Sequence, residues 1–456
     1  MKKVVIFLLT TLLFSYTNTF RATFQNLKFL DEHMGMIETS YLFDFDNFYT
    51  GLSVYSAVTG KRGGFFTGGV TLGAKYPLND LYLDTGLFVG GGGGGHAPQG
   101  SGLMVKIYGG VIKKISPSFA LVANINHIKF KDGEIDSTQL AFGFDYYFKD
   151  LYFLTPPPKE GYFGIERVYF TPYVLEYIPT GSKTTTGEKQ KRFTLIGAEI
   201  GKIKDSFFYF LSTGGAFRGD SDGYAEFLFG IGKDLGYLKL KAALGAGGGG
   251  EVDTTGGAIY KLEAEKNISF LNLSAGYMGS FGGIKAYYLK AGVSKRFDFA
   301  TLGKKLLKIK PAKFKFSLYS ESYLPSSTIR KNGDSKRLDL LNMDLGYFIT
   351  KNAYFYINAA SAYNGGSGGY AVGMFGAGYE KGIFFAKAAL GAAGGGNVDV
   401  GGGLIAKAYA GVRYKNFFAG IGRIKAIDGR LNTTILDFGV DFDFYKGIVY
   451  TSKKLP

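Results

Sequence analysis

Three glycine-rich runs recur along the chain and divide it into related units. They occupy residues 90–95, 245–250 and 391–396. A lysine follows each run at a matching position, and the three lysines are Lys106, Lys261 and Lys407. The second and third runs lie 146 residues apart, and other pairs such as Tyr224 and Tyr370 keep that offset. Because one offset relates so many positions, the chain contains an internal repeat, and a function of the repeat should recur in every unit.

The segments between the runs alternate large apolar residues with polar or small ones. The last segment places five apolar residues at every second position, namely Leu436, Phe438, Val440, Phe442 and Phe444. A period of two predicts β-strands with one apolar face. Most segments are about 10 to 14 residues long with aromatic residues near their ends, which is typical of strands that cross a bilayer. Tight turns such as residues 44–47 alternate with glycine-rich loops such as residues 60–64.

This pattern predicts an all-β fold, a transmembrane antiparallel up-and-down β-barrel built from three homologous eight-stranded units. The alternation is weaker at residues 23–30, the first strand of the first unit, than in the other segments. The total is 24 strands if this segment is counted and 23 if it is not. The predicted organisation is a signal peptide at 1–19, unit 1 at 20–148, a linker at 149–164, unit 2 at 165–298, a linker at 299–311, unit 3 at 312–445 and a C-terminal tail at 446–456.

Two closures of these strands remain open. Either each unit forms its own barrel, or all strands form one barrel of 22–24 strands. A lumen that wide needs a plug, and the sequence has no spare segment to form one. An eight-stranded barrel instead fills itself with side chains. The inward residues of one unit also mix both charges, which could pair inside a small barrel, so three tandem barrels are preferred to one large barrel.

The first residues predict an export signal. Lys2 and Lys3 precede a mainly apolar stretch at residues 4–14 and a short polar exit, which is the order found in secretory signals. Eleven residues are too few to span a bilayer, and no later run of eighteen apolar residues predicts a transmembrane helix. The chain has no cysteine, which excludes thiol catalysis and disulfides.

With an export signal, alternating strands, aromatic strand ends and loops of alternating length, the chain resembles bacterial outer-membrane β-barrel proteins. Each unit is similar in size to the small eight-stranded members. The resemblance implies an outer-membrane location, contact with outer-membrane lipid or glycolipid, and insertion by the outer-membrane assembly machinery. One feature departs from the class, whose chains usually end on a strand with a terminal aromatic. Here residues 446–456 follow Phe444 and Tyr445.

The polar face of the strands should point into the lumen. The lumen candidates are Lys106, Lys241, Lys261, Lys387, Lys407, Arg413, Asp145, Asp437, Asp441 and Asp443. Two interpretations of the lysines remain open. They form either a cationic lumen that selects anions or internal ion pairs with the aspartates of the final strand, as buried charges require.

Basic residues also fall in the longer loops, where we expect contact with glycolipid phosphates by charge attraction. These candidates are Lys61, Arg62, Lys191, Arg192, Arg330, Lys331, Lys336 and Arg337. The formal net charge is +16. Because the basic residues are dispersed rather than gathered in one stripe, a nucleic-acid partner is not expected.

No catalytic, cofactor or metal site is predicted. All three histidines, His33, His96 and His127, lie in the first unit, and the position of His96 carries Glu251 and Asn397 in the other units. A histidine-dependent hydrolase site is therefore not repeated.

The glycine runs and the loops that follow them do not match a phosphate-binding or calcium-binding motif either. The runs lead into strands rather than helices, unlike phosphate-binding loops. Asp253 and Asp399 offer oxygen ligands, but Pro98 occupies the matching stretch of the first unit and no calcium-loop motif follows.

The sequence thus predicts a non-enzymatic integral outer-membrane protein with an envelope or surface role and at most narrow ion passage. The alternative is a passive porin-like channel for small, preferably anionic, solutes in one large barrel. An outer-membrane lipid-modifying enzyme is a more distant alternative. Oligomeric state is left open.

Overall fold

A computed structural model describes residues 17–450, and its regular structure there is entirely antiparallel β-sheet. Within that range, twenty-five strands follow one another along the chain. The all-β prediction is confirmed. No helix in the described part of the chain is long and apolar enough to cross a membrane. The predicted signal peptide lies outside the described residues, apart from Thr17 to Thr19, which begin the first strand.

The first eight strands form a closed barrel. They are β1 (Thr17–Phe29), β2 (Glu32–Phe45), β3 (Phe48–Thr59), β4 (Phe66–Leu78), β5 (Leu81–Gly93), β6 (Met104–Ser116), β7 (Phe119–Phe130) and β8 (Asp136–Lys149). β1 closes against β8, from Thr17 opposite Lys149 to Gln25 opposite Ala141. The weak strand predicted at residues 23–30 is therefore the strand that closes this barrel.

The other seventeen strands form a second closed sheet. They are β9 (Glu160–Pro179), β10 (Phe193–Lys204), β11 (Phe207–Arg218), β12 (Ala225–Asp234), β13 (Lys239–Gly248), β14 (Ala258–Ile268), β15 (Leu271–Ser280), β16 (Lys285–Val293), β17 (Lys295–Leu302), β18 (Lys305–Leu324), β19 (Leu338–Phe348), β20 (Ala353–Asn364), β21 (Ala371–Lys381), β22 (Phe384–Gly394), β23 (Leu404–Tyr414), β24 (Phe417–Ala426) and β25 (Asn432–Val449).

Two cross-pairings subdivide this second sheet. β16 pairs with the later half of β9, from Ala286 opposite Pro179 to Gly292 opposite Tyr173. β25 pairs with β18, from Ile309 opposite Val449 to Leu324 opposite Thr434. β17 lies between these two groups and pairs mainly with the first half of β9.

The predicted connections contain more strand than expected. β17 and the start of β18 occupy most of the linker predicted at 299–311, and β25 continues to Val449, past the predicted start of the tail at 446. Likewise, β9 begins at Glu160, inside the linker predicted at 149–164. The physical reason is that β9, β18 and β25 extend beyond their neighbours and pair with one another or with β17. The count is thus 25 strands rather than 24.

The strand connections define two ends of the molecule. At one end, the turn side, neighbouring strands within each unit are joined by two to four residues, as at residues 205–206 and 349–352. Asp46 and Asp205 adopt positive φ there, a conformation that aspartate tolerates in tight turns. At the other end, the loop side, the connections reach thirteen residues, as at residues 180–192 and 325–337.

Each strand places apolar residues outside and polar ones inside over much of its length. On β8, for example, Phe142 is exposed on the outer face while Asp145 is fully buried in the interior. Toward the loop side, the interior becomes apolar. The buried cluster of the first barrel comprises Leu27, Phe29, Met34, Met36, Tyr55, Ala57, Phe65, Phe88, Ala97, Met104, Ile128, Phe130 and Ile135. An apolar exterior around a polar interior is the arrangement of transmembrane β-barrels.

Candidate functional site

The interior of the first barrel holds charges that are buried and paired. Arg21 Nη1 lies 2.8 Å from Asp84 Oδ2, and Arg21 Nε lies 2.7 Å from Asp145 Oδ1. Lys106 Nζ lies 2.7 Å from Glu38 Oε2. All five side chains are at most 3% exposed. Each buried charge therefore has an opposite charge within contact distance, as burial in a low-dielectric interior requires.

The second unit has a similar charged layer with a denser network. Lys241 Nζ lies 2.7 Å from Glu199 Oε1, and Lys290 Nζ lies 2.6 Å from Glu263 Oε1. Glu265 adds a second carboxylate beside Lys241. Lys261 pairs separately with Glu226. With Lys239, which also contacts Glu265, four ammonium groups lie beside four carboxylates, so this interior lacks the net positive charge of a cationic lumen.

The third unit extends the charged layer to the turn side. Lys407 Nζ lies 2.8 Å from Glu321 Oε2, and Lys387 Nζ lies 2.8 Å from Asp344 Oδ2. Nearer the turns lies a second, less buried group of charges. Lys315 and Arg413 each contact the carboxylates of Glu380, Asp441 and Asp443. Lys313 contacts Glu380 and Asp443. The predicted lumen residues of this unit thus belong to internal ion-pair networks, apart from Asp437, which is buried nearby.

The ion-pair interpretation named the wrong partners for the recurring lysines. Lys106, Lys261 and Lys407 pair with glutamates, not with the aspartates of the final strand. In the third unit, Glu321 lies directly opposite Asp437 in the strand register, and Lys407 contacts the glutamate of this pair. Neither carboxylate oxygen of Asp437 has a hydrogen-bond partner among the described residues.

The partner of each recurring lysine comes from a different strand of its unit. Glu38 lies on the second strand of the first unit, Glu226 on the fourth strand of the second, and Glu321 on the first strand of the third. The lysine position is therefore repeated while the carboxylate position is not. Repeat alignment could not reveal these glutamates. Strand alternation alone indicates them, because each lies on the inward face.

Apolar layers cross the interior above the charged layers. In the third unit, residues with 0% exposure on the loop side include Tyr323, Leu338, Leu340, Tyr370, Ile405 and Ile435. Two small cavities lie within the charged layers. One, of about 10 Å³, is lined by Lys315, Glu380, Arg413 and Asp441, and the other, of about 20 Å³, by Glu199, Lys241, Lys261 and Lys290. Each is large enough for roughly one water molecule.

The glycine runs lie where the units contact one another. A Cβ atom on Gly64 of the first unit would lie 2.2 Å from the nitrogen of Gly249 in the second. A Cβ atom on Gly223 of the second unit would lie 2.8 Å from the nitrogen of Gly395 in the third. A Cβ atom on Gly369 of the third unit would lie 3.3 Å from the Cα atom of Gly94 in the first. The contacts therefore run from each unit to the next and return to the first, as in a closed ring of head-to-tail interfaces.

Hydrogen bonds and strand contacts follow the same cyclic order. Gly63 donates its N–H to Thr255 O at 3.1 Å, between the first and second units. Lys331 Nζ lies 3.0 Å from Asp222 Oδ2, between the third and second units. Ser361 donates its hydroxyl to Gly91 O at 2.9 Å, between the third and first units. The third strand of each unit, β3, β11 or β20, contacts the fifth strand of the next, β13, β22 or β5.

The basic loop candidates are mostly engaged within the protein. The ion pairs are Arg62 with Glu32, Lys191 with Asp220, Arg192 with Glu176, Arg330 with Asp334, Lys331 with Asp222, and Arg337 with Asp339. Arg330 is buried and also donates to Ser367 Oγ at 2.8 Å and Lys336 O at 3.0 Å. Among the described residues, no carboxylate lies within 4.0 Å of the ammonium groups of Lys61 or Lys336, and both side chains are exposed.

The position of His96 serves loop geometry. His96, Glu251 and Asn397 occupy equivalent positions and all adopt positive φ, at 53°, 61° and 63°. The position thus requires a left-handed backbone directly after each glycine run, which explains why three different side chains can occupy it. His127 contacts Thr138 on the exposed face of the first barrel.

The oxygen-rich loop position is engaged by an arginine. Asp399 accepts a hydrogen bond from Arg430. Partial burial raises the pKa of Asp399, but the Arg430 contact and the N–H of Gly401 outweigh burial, so its pKa lies below the ordinary value. Within residues 17–450, no cluster of three histidine or carboxylate side chains could hold a metal ion.

No protein-family model matches the chain, and no curated protein matches it. Solved structures do match at low identity. OccAB3 of Acinetobacter baumannii is 10% identical, over 94% of this chain and 98% of its own, with a TM-score of 0.22. OccK5 (OpdH) of Pseudomonas aeruginosa is 9% identical, over 94% and 97%, with a TM-score of 0.23. A mutant of the Rh. blastica porin is 9% identical, over 75% and 91%, with a TM-score of 0.21. At these identities and TM-scores the likeness says nothing about activity.

The class of protein follows from the chain's own geometry. An apolar strand exterior, a charged and paired interior, and connections that are short at one end and long at the other together define a transmembrane β-barrel protein of the outer-membrane type.

Proposed function

We propose that the chain is a non-enzymatic outer-membrane protein made of three small, filled barrels with an envelope or surface role. The pairing of β16 with β9 supports closure of the second unit as eight strands. The pairing of β25 with β18 supports closure of the third unit in the same way. In this arrangement β17 serves as the connection between two barrels rather than as part of either wall.

One observation carries the proposal that passage is at most narrow. The charged side chains inside each unit are paired with one another, apart from Asp437 in the third unit, and a buried apolar layer lies above them on the loop side. An ion that crossed a unit would have to leave the polar layer and traverse the apolar one, which gates by excluding water. The two cavities described above each have room for roughly one water molecule, which supports narrow rather than wide passage.

The porin-like channel is the second candidate. It is favoured by the continuity of the second sheet, because β17 pairs with β9 and touches β25 through Phe299 and Ile448. All seventeen strands from β9 to β25 are thereby joined in one closed sheet. If those strands open as a single wall in the membrane, the inward lysines and carboxylates would line a wide, water-filled lumen.

Planar-bilayer conductance of the refolded chain separates the two candidates. Three filled barrels predict no steady conductance, or only brief small steps. The double substitution Leu340→Ser and Tyr370→Ser in the apolar layer of the third unit should then increase the frequency of small conductance steps. Steady nanosiemens openings in the unsubstituted chain, with anion preference, would establish the porin-like candidate and refute the filled barrels.

The outer-membrane location and the lipid contacts belong to the same proposal. On the loop side, Lys61 and Lys336 are the predicted glycolipid contacts that lack an ion pair within the described residues. Charge attraction to glycolipid phosphates would act on them most directly. Fractionation of cells that express the chain tests the location. Retention of glycolipid after Lys61→Glu and Lys336→Glu, at the level of the unsubstituted chain, would exclude the contact. Insertion is expected to depend on the outer-membrane assembly machinery.

A further inference from the structure

A small sheet extends beyond the barrels on the turn side. Its strands are residues 160–166 of β9, β17, residues 305–313 of β18 and residues 444–449 of β25, and we name it the junction sheet. It begins where pairing to the neighbouring barrel strands ends, since β9 first meets β10 at Arg167 and β18 first meets β19 at Phe314. The junction sheet therefore lies at the end of the membrane-crossing strands.

One part of the junction sheet is a closed apolar core. Leu151 and Phe163 pack there with Ala300, Ile309 and Val449, all at most 7% exposed. This core joins the linker after the first unit to strands of the other two units.

The outward part of the junction sheet combines lysines with large apolar side chains. Tyr162 and Leu306 lie opposite each other in the strand register and are 70% and 59% exposed. Leu302 and Tyr450 are also exposed. The exposed lysines of this surface are Lys304, Lys305, Lys308 and Lys310. Aliphatic and aromatic side chains interleaved with lysines are the composition of surfaces that lie in the headgroup region of a membrane.

These lysines are not neutralised by the protein. Within residues 17–450, no carboxylate lies within 4.0 Å of any of the four ammonium groups, and Glu160, the register partner of Lys308, also lies beyond that distance. On the loop side, Arg62 pairs with Glu32 and Lys331 with Asp222, and the unpaired lysines are spread over several loops. On the turn side, four unpaired lysines lie within seven residues of the sequence and beside exposed apolar residues.

We infer that the junction sheet binds anionic phospholipid in the membrane leaflet on the turn side. The four lysines attract the headgroup phosphates, and the apolar residues contact the acyl boundary below them. A soluble acidic protein could pair with the lysines, but its acidic surface would not bury the exposed side chains of Tyr162 and Leu306. This inference rests on the proposed location of the chain in a membrane and assigns a specific lipid contact to one of its faces.

Native mass spectrometry of the detergent-refolded full chain tests the inference. The probes are phosphatidylglycerol, phosphatidylcholine of the same chain length, and inorganic phosphate. The variant carries Lys304→Gln, Lys305→Gln, Lys308→Gln and Lys310→Gln. The matched control removes the same charge from the loop side through Lys131→Gln, Lys183→Gln, Lys189→Gln and Lys285→Gln, which are exposed and have no proposed lipid contact. Circular dichroism confirms that each variant retains its strand content.

The unsubstituted chain should retain phosphatidylglycerol in preference to phosphatidylcholine, and high salt should reduce that preference. The junction variant should bind phosphatidylglycerol at least about tenfold more weakly, while the control should bind it as the unsubstituted chain does. Tyr162→Ser with Leu306→Ser should weaken the binding of both lipids and leave phosphate binding unchanged.

Equal losses in the junction variant and the control would reduce the effect to net charge and overturn the inference. Equal retention of the two lipids by the unsubstituted chain would overturn it as well, and would direct attention to a soluble acidic partner. Competition by inorganic phosphate alone would assign the site to free phosphate. Failure of the chain to enter detergent or bilayers as a folded protein would instead refute the proposed membrane location.

Discussion

Two carboxylates that face each other inside the third unit should respond oppositely to neutralisation. Glu321 and Asp437 lie opposite each other on β18 and β25, and both are at most 2% exposed. Glu321 receives the ammonium group of Lys407 at 2.8 Å, whereas the oxygens of Asp437 have no hydrogen-bond partner among the described residues. Glu321→Gln therefore removes the ion-pair partner of a buried ammonium group, whereas Asp437→Asn removes a buried carboxylate that accepts no hydrogen bond among the described residues.

The structure sets the expected magnitudes. Removal of one member of a buried ion pair typically destabilises a protein by about 3–5 kcal/mol. We expect Glu321→Gln to fall near the lower end, at about 3 kcal/mol, because Asp437 remains beside Lys407 as a second carboxylate. Asp437→Asn should be neutral or stabilising by up to about 1 kcal/mol, because desolvation of an unpartnered carboxylate opposes folding.

Equilibrium urea unfolding of the chain refolded in detergent micelles measures both effects. Tyrosine fluorescence is the probe, because the chain contains 33 tyrosines and no tryptophan. Glu134→Gln, at an exposed loop carboxylate, is the control and should change stability by less than about 0.5 kcal/mol. If Asp437→Asn destabilises the chain as much as Glu321→Gln does, the assignment of the lysine to Glu321 is wrong.

Two further predictions concern the contacts between units. Gly64→Ala should destabilise the chain by about 2 kcal/mol more than Gly187→Ala, because the two glycines share φ near +87° but only Gly64 has a backbone neighbour, Gly249, where a Cβ would lie; equal midpoints of unfolding would contradict the inter-unit contact. Burial raises the pKa of Asp150, but attraction to Lys446 outweighs burial and holds the pKa below its ordinary range. Stability from this pair is therefore complete above the unfolded value of about 3.9 and is lost as the pH falls through the lower folded value; the unfolding midpoints of the chain and of Asp150→Asn should converge in that acidic window, and a constant difference would refute the linkage.

The sequence predicts the strands well where alternation is strict. On β25 the apolar residues from Leu436 to Phe442 alternate with inward aspartates, and the strand is present as predicted. The glycine runs also mark the repeat correctly. Their role as contacts between units could not be predicted, because it depends on how Gly64 meets Gly249 in space.

The pairing partners escape prediction for a related reason. A strand alternation tells which side of the wall a residue faces, but the register and the barrel curvature decide which inward groups meet. Arg330 illustrates the limit, since its place in a basic loop predicts a lipid contact but the side chain is buried against Ser367. Its loop pairs with the loop at residues 397–399, where Arg330 forms a bridge with Val398, and no local pattern in the sequence encodes that contact.

The shifting partner of the recurring lysine leads to the last prediction. In the second unit Lys261 pairs with Glu226, and Leu175 occupies the position of Glu321. In the third unit Lys407 pairs with Glu321, and Val372 occupies the position of Glu226. The two arrangements should be interchangeable, because a buried ammonium group requires one close carboxylate and not a particular strand.

The hydroxyl groups around this position favour the exchange. In the second unit Tyr177 and Tyr224 donate to Glu226 at 2.7 and 3.2 Å. Their equivalents in the third unit, Tyr323 and Tyr370, have buried hydroxyl groups without a hydrogen-bond partner among the described residues. A carboxylate at position 372 would therefore receive Lys407 and both hydroxyl groups, as Glu226 receives theirs.

We accordingly expect Val372→Glu to rescue Glu321→Leu. Glu321→Leu alone should destabilise the chain by about 3 kcal/mol or more, and Val372→Glu alone should also destabilise it, because it adds a carboxylate to an interior that already holds Glu321 and Asp437. The double variant should recover most of the loss, with a coupling energy of about 2–3 kcal/mol in the double-mutant cycle. Additive losses would show that the carboxylate cannot be moved between strands, and that the position of each glutamate is fixed by more than charge pairing.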